Sequence, residues 1–417
     1  NIEKGIKINR EKAISNYFKE NRNIYRFSQE KNILVLIFDA FAAHLLSEVL
    51  DTYPHIPQGL DGFTWYKHNI STGNFTYNSV NAMVAGPSYI LPEINNRNED
   101  ILLAELVCKN WANLLNVVGD YEFDLSAYPV GCSQPKYIEK YLRHSANFYD
   151  GFGEFPRLMD KVQPDYQFLF HLTLFKVSPI RLKKKIYNGG SWNMSNNANV
   201  ADYYGMNRDY NLLNYLPRNL TYDSPRPTFK YWWFWVNVSP FLIREDGSWI
   251  TAEDLRQGFQ QYSDESRKWT IKYSLERVLD IIKAFQDYGI YKQTKIIIAS
   301  DHASAEKNWN DKALYSLLMV KDFQEAGELQ ISEIPTSNMD IPAMIGTGID
   351  ESGNFNVANN FGTDYSKNPD MQRILKYHIT LQGTDAYLAN HKKYPPGQVI
   401  SIQGNPYDKN NWKAQEF

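Results

Sequence analysis

Only two cysteines, Cys108 and Cys132, occur in the 417 residues. Their spacing is not CxxC, which excludes a zinc ribbon or a thioredoxin-like redox motif. A single pair in a chain this long reads either as one disulfide or as two unrelated buried thiols. No run of about 18 apolar residues is present, so no segment reads as a transmembrane helix. A basic-then-apolar leader is also missing. Charge is close to balanced, with a formal net value of −3, which gives no electrostatic ground for a nucleic-acid partner. Internal repeats and low-complexity tracts are absent.

What is present belongs to a globular chain: 43% hydrophobic and 22% charged residues, enough for one large α/β domain with additions or for two domains. Aromatic residues make up 15%, including 29 Tyr and 10 Trp, whereas disordered chains are poor in them. The polar opening, residues 1–29, is expected to be a linker or juxtamembrane segment of an excised domain whose targeting or membrane segment lay upstream. Ile33–Phe38 is an unbroken apolar run ending in Asp39, and AFAAHLLSEVL follows with helical spacing. That pattern predicts a buried parallel strand running into a helix. A second run occupies 229–238 (FKYWWFWVNV). Residues 264–289 repeat apolar positions at helical period and stop at Gly289, and KIIIAS (295–300) then delivers Asp301-His302. Strand–helix alternation predicts a three-layer α/β/α domain with a mostly parallel central sheet. It spans residues 30–350, and 351–417 form a small C-terminal extension packed on it, with a strand at 376–383. Residues 186–228, rich in Asn, Tyr, Gly and Pro, read as a long surface excursion.

Ligands in open α/β sheets bind beyond the carboxyl ends of the strands. If the runs ending in Asp39 and Asp301-His302 are both central, three metal-competent side chains converge there. Carboxylate and imidazole donors suit Zn or Mn, although an Asp after a strand also serves as a plain helix N-cap. A Gly-containing loop leads to Thr76, followed by Val80, Met83 and Val84 at helical spacing. A hydroxyl at a helix start faces the helix dipole and free N–H groups, which favour a phosphate. Metal coordination would make Thr76 a nucleophile. Its local alternative is a capping threonine. His68, Asn78 and His171 lie in or near these segments and are candidate substrate contacts. His44 is expected to face away from the site. RLKKK (181–185) reads as a solvated face or as a contact with anionic headgroups.

VLIFDA, NFTYNSVNAMVAG and IIIASDH, in this order, resemble three signature segments of the alkaline phosphatase/sulfatase superfamily. The branch they look most similar to is the sulfatase-like transferases, which include lipoteichoic acid synthase and the lipid A phosphoethanolamine transferases. The resemblance covers roughly residues 30–350. It implies an alkaline phosphatase-like fold, a metal site of Asp39, Thr76, Asp301 and His302, and Thr76 as nucleophile. It also implies transfer of phosphoglycerol or phosphoethanolamine from a phospholipid to a cell-envelope glycan or lipid, on the extracytoplasmic face of a bacterial membrane. SNMDIPAMIGTGI (337–349) resembles the family's Asp-containing helix. The pattern departs in places. The C/S-x-P-x-R motif of formylglycine sulfatases is missing, Ala303 stands where Gly is usual, and VNVSPF (236–241) has no histidine. A phosphodiesterase, phosphatase or sulfatase-like hydrolase with the same site is the alternative. A catalytically silent domain that binds lipid or a partner is another.

Overall fold

The computed structural model describes residues 2–97, 99–132, 134–148, 173–187, 204–250, 254–255, 257–303, 314–347, 374–380 and 385–416. Eight strands form the central sheet: β1 (Asn32–Phe38), β2 (Thr64–Tyr66), β3 (Asp124–Ala127), β4 (Ala146–Phe148), β5 (Thr228–Phe234), β6 (Thr294–Ala299), β7 (Leu318–Lys321) and β8 (Gln330–Ser332). Their order is β8-β2-β7-β6-β1-β5-β3-β4. Only the β7 pairings are antiparallel. The runs read from the sequence as buried parallel strands are the three at the centre, β6, β1 and β5. Every residue of β1, β5 and β6 is buried, as a strand covered on both faces requires.

Two long helices account for the two covers. We label the main helices α1 (Ile2–Glu20), α2 (Thr76–Ala85), α3 (Leu103–Gly119), α4 (Tyr204–Tyr215), α5 (Asp264–Asp287) and α6 (Ile341–Thr347). Successive side chains of a strand point to opposite faces, and β5 shows it with two neighbouring aromatics. Tyr231 meets Trp111 of α3 edge-on at 4.8 Å. Trp232 meets Phe27 at 5.8 Å, and Phe27 meets Phe285 of α5 at 4.8 Å. Helix α5 begins with Ser263 accepting a hydrogen bond from the Ser266 N–H, and Gly289 sits just beyond it at φ 74°, a conformation glycine adopts without steric cost.

Three sequence expectations change. The opening segment read as a linker is partly core: Ile14, Tyr17, Phe18, Ile24, Tyr25 and Phe27 are buried in it, and Arg26–Ser28 pairs in parallel with Thr221–Ser224. The chain does not pass from Asp39 straight into a helix. Ala40 adopts φ 58°, a 3-10 turn follows at Ala43–Leu45, and the helix starts only at Leu46. Within the stretch read as a surface excursion lies α4, whose Leu212 and Leu213 are core residues.

The C-terminal residues form an antiparallel sheet of β9 (Ile374–Thr380), β10 (Gly397–Gln403) and β11 (Trp412–Glu416). Tyr377 and Ile402 of this sheet join Ile70, Ala82, Leu314 and Tyr315 in a second apolar cluster, so the extension packs on the main domain behind α2. Cys108 and Cys132 form a disulfide.

Candidate metal and nucleophile site

Register brings the acidic residues together. Ile37 of β1 lies abreast of Ala299 of β6, so Asp39 and Asp301, each two residues further on, leave neighbouring strands at the same level. The Asp39 N–H donates to the Phe234 carbonyl at 2.8 Å, which keeps the chain in the sheet up to that point. The backbone then turns through Ala40, whose N–H donates to Asp301 Oδ1 at 3.1 Å. Asp301 Oδ1 also accepts from the His302 N–H at 2.9 Å. Beneath them Asn338 Nδ2 donates to the Ser300 and Asp301 carbonyls at 2.7 and 3.0 Å. Asn338 lies in the segment resembling the family's Asp-containing helix. Asp340, from that same segment, accepts from the Ser337 N–H at 2.9 Å and closes a turn.

Asp39, Asp301 and His302 each offer a ligand atom, and these atoms lie within 4.8 Å of one another, all three residues buried. His302 Nε2 is 3.3 Å from Asp301 Oδ2 and 3.8 Å from Asp39 Oδ1. His302 Nδ1 is 2.8 Å from the Ala303 carbonyl, which as an acceptor calls for the proton on Nδ1 and leaves the Nε2 lone pair toward the carboxylates. Asp301 Oδ2 is buried and accepts no hydrogen bond among the described residues. An orphaned buried carboxylate oxygen is costly in a low-dielectric interior, and a divalent cation is the group that best satisfies it. Two carboxylates and an imidazole are donors suited to Zn or Mn. The residues present therefore fit a metal ion.

Thr76 completes the arrangement as the first residue of α2, a ten-residue helix entered from Phe75 in extended conformation. Its Oγ1 lies 3.3 Å from Asp39 Oδ2 and 3.4 Å from His302 Nε2. As the first helical residue it does not act as the N-cap, so the capping alternative does not describe its hydroxyl. The helix start adds partial positive charge on the same side. Gly73 is required just before it: a Cβ there would lie 2.4 Å from the Asn78 Cβ.

Protonation follows from burial and crowding. Burial raises the Asp39 pKa from 3.8 to about 7, with the Asp301 charge adding to the rise, while His302 and the hydrogen bonds from Trp233 and Thr76 oppose it. Burial pulls the His302 imidazole down, but the charges of Asp301 and Asp39 outweigh it and its pKa is raised.

The remaining sequence candidates fall elsewhere. His68 Nδ1 is 2.7 Å from the Glu333 carbonyl, and its ring lies against Tyr407; it does not join the group around Asp301. Asn78 is buried on α2 and donates to Asn74 Oδ1 at 2.6 Å, tying down the loop before Thr76. His171 lies outside the described residues. One residue at the site escaped the sequence reading: Trp233, near the carboxyl end of β5, whose Nε1 donates to Asp39 Oδ2 at 3.2 Å. Alternation within β5 carries the only signal, and it separates Trp233 from Trp232 only once the register is known.

No family model and no curated protein matches the chain. Solved structures similar to it include a protein in the alkaline phosphatase superfamily from Vibrio parahaemolyticus, 11% identical, covering 94% of this chain and 80% of that one at TM-score 0.48. The phosphonate monoester hydrolase of Agrobacterium radiobacter is 11% identical, covering 93% and 89% at 0.47. The lipoteichoic acid synthase LtaP from Listeria monocytogenes is 11% identical, covering 94% and 85% at 0.45. The first is named for the superfamily, and the last for a synthase of the branch, that the sequence segments resemble. With identities this low and TM-scores below 0.5, the chemistry rests on the chain's own residues.

Proposed function

We propose that this chain is a metal-dependent phosphotransferase that moves a substituted phosphate, phosphoglycerol or phosphoethanolamine, from a phospholipid to a cell-envelope glycan or lipid. The observation that carries the proposal is the position of Thr76 Oγ1, at a helix start and within 3.4 Å of Asp39 Oδ2 and His302 Nε2, beside the orphaned Asp301 Oδ2. Asp39, Asp301, His302 and Thr76 would hold one Zn or Mn ion. When bound, such an ion lowers the pKa of a hydroxyl and draws electron density from a phosphoryl oxygen. Thr76 Oγ1 attacks phosphorus, and its proton leaves toward Asp39 Oδ2. The bond from phosphorus to the diacylglycerol oxygen breaks, and that oxygen takes up the proton that Asp39 Oδ2 received. An acceptor hydroxyl then attacks phosphorus, the bond from phosphorus to Thr76 Oγ1 breaks, and the acceptor's proton returns to Thr76 Oγ1 by way of Asp39 Oδ2. The start of α2 orients the phosphate through its N–H groups, Trp233 holds the Asp39 carboxylate, and Asn338 holds the main chain that carries Asp301.

The Cys108–Cys132 disulfide supports an oxidising, extracytoplasmic location. Among the described residues no helix is long and apolar enough to cross a membrane, so a tether, as the family resemblance implies, is itself part of the proposal. The silent-domain reading has one observation in its favour: among the described residues, the acidic group takes in no second histidine beyond His302.

Trapping separates the readings. The metal-loaded protein, incubated with phosphatidylglycerol or phosphatidylethanolamine and analysed by intact mass, should carry a phosphoglycerol or phosphoethanolamine adduct on Thr76. Thr76→Ala should carry none and lose turnover, since covalent catalysis needs that oxygen. Release of the adduct to water without an acceptor identifies a hydrolase. Metal binding with no adduct on any lipid identifies the silent domain, and wild-type turnover by Thr76→Ala sinks the mechanism.

A further inference from the structure

The helical segment Thr173–Tyr187 matches nothing in the site and differs from the rest of the surface. Within it, Ile180–Tyr187 (IRLKKKIY) is a helix. Seven large hydrophobic side chains are exposed among the described residues, and three of them fall within six positions: Val177 at 74%, Ile180 at 85% and Leu182 at 48%. Isolated exposed apolar residues are ordinary, but a cluster marks a contact. The same fifteen residues carry Lys176, Arg181, Lys183, Lys184 and Lys185 with no Asp or Glu, in a chain whose net charge is −3. Positive charge is therefore concentrated where the apolar side chains emerge. Lys183 Nζ lies 5.3 Å from the Phe175 ring centroid, so an aromatic body stands beside the cations as well.

We propose that Thr173–Tyr187 is a docking surface for an anionic lipid bilayer, with Val177 and Ile180, the two most exposed apolar side chains, entering the headgroup–acyl boundary and the flanking cations against the lipid phosphates. Charge complementarity selects this occupant. A hydrophobic protein groove would match the aliphatic side chains but not the positive charge of the segment, and a nucleic acid would match the charge but leave the aliphatic side chains in water. A basic, apolar-tipped helix lying in the interface satisfies both. The inference deepens the lipid-donor reading above by naming the surface that meets the donor's membrane. It is tested by binding alone, so either can fail without the other.

The test is co-sedimentation of the full chain, catalytic residues intact, with vesicles of phosphatidylcholine and with vesicles containing about a third phosphatidylglycerol. The wild type should bind the anionic vesicles at least tenfold better, and 0.5 M salt should weaken that binding. Each cation near an anionic surface contributes roughly fivefold, so K183E/K185E should lower the partition coefficient by about 25-fold or more. Val177→Ser with Ile180→Ser, which changes no charge, should lower it as well, which a purely electrostatic contact would not show. Both variants should keep the wild-type melting temperature and the wild-type rate on a soluble phosphodiester. Equal sedimentation with both vesicles, wild-type binding by either variant, or binding to heparin or RNA in place of vesicles would overturn the proposal.

Discussion

Replacing Trp233 by phenylalanine removes one N–H from a buried carboxylate and leaves the strand around it apolar. Nε1 donates to Asp39 Oδ2 at 3.2 Å, the oxygen that Thr76 also reaches, so Asp39 Oδ1 is the oxygen left facing His302. A hydrogen bond to a charged acceptor is worth about 1.5–3 kcal/mol, and outer partners of metal ligands typically account for 10–100-fold in affinity. Trp233→Phe should therefore weaken Zn or Mn binding by one to two orders of magnitude. The smaller ring also leaves a gap in a buried position, costing about 1 kcal/mol of stability, so a lower melting temperature alone decides nothing. The pH dependence does. The indole bond lowers the Asp39 pKa against the rise caused by burial and Asp301. Without it Asp39 holds its proton to higher pH, and the midpoint at which acid displaces the metal should move upward. Competition titration with a chromophoric chelator from pH 6 to 9 reads affinity and midpoint together. Wild-type values for both would show that the indole packs without positioning Asp39.

Three further outcomes follow from the site and its supports. Because the folded pKa of Asp39, about 7, lies above the ordinary 3.8, its protonation stabilises the metal-free protein fully below pH 4, and this contribution disappears as pH rises to about 7. Chelator-treated wild type should thus lose stability relative to Asp39→Asn across that window, while metal-loaded wild type gains over it; parallel melting curves for the two metal-free proteins would refute the assignment. Ala40 at φ 58° carries a left-handed cost of roughly 1–2 kcal/mol, so Ala40→Gly should be neutral or stabilising by up to about 1 kcal/mol after the chain-entropy loss. Ala40→Val should cost about 2 kcal/mol or more in urea unfolding, and a valine variant as stable as wild type would contradict the backbone geometry. Tyr394 is buried, accepts from Asn81 Nδ2 and donates to the Tyr77 carbonyl, both at 2.9 Å; Tyr394→Phe removes the acceptor of the buried Asn81 amide and the second donor to a helical carbonyl, and should cost about 1–3 kcal/mol by urea titration.

The legible and illegible parts of this molecule differ in kind. Ile33–Phe38 and Lys295–Ser300 could be read as interior parallel strands because burial on both faces demands unbroken apolar runs, and the residues that end them inherit a place at one sheet edge. The local pattern around Thr76 fits a capping threonine as well, and only the resemblance of the three segments to a known family sets its hydroxyl apart. The missed core contribution of Ile14, Tyr17 and Phe18 was also written locally, at i, i+3 and i+4, but the polar residues between them made the segment look solvated. Ala40 and His68 left no such trace. A left-handed alanine has no compositional marker, and the acceptor of His68, Glu333, is 265 residues away.

Trp233 is the instructive case, since its sequence neighbourhood contains too much signal. In FKYWWFW three tryptophans compete for one role, and composition treats them alike. What separates them is the pleat: Trp232 turns to Phe27 and the α5 side, Trp233 turns to the opposite face, and Trp235 lies beyond the strand. Pairing of Phe38 with Phe234 then sets Trp233 one step behind the end of β1, within reach of Asp39. A one-residue slip of β5 would present Trp232 or Phe234 there and leave Asp39 without its indole donor. The environment of Asp39 therefore depends on a register that the strand runs themselves do not encode, and the outer partner of a candidate metal ligand becomes visible only when the sheet is assembled.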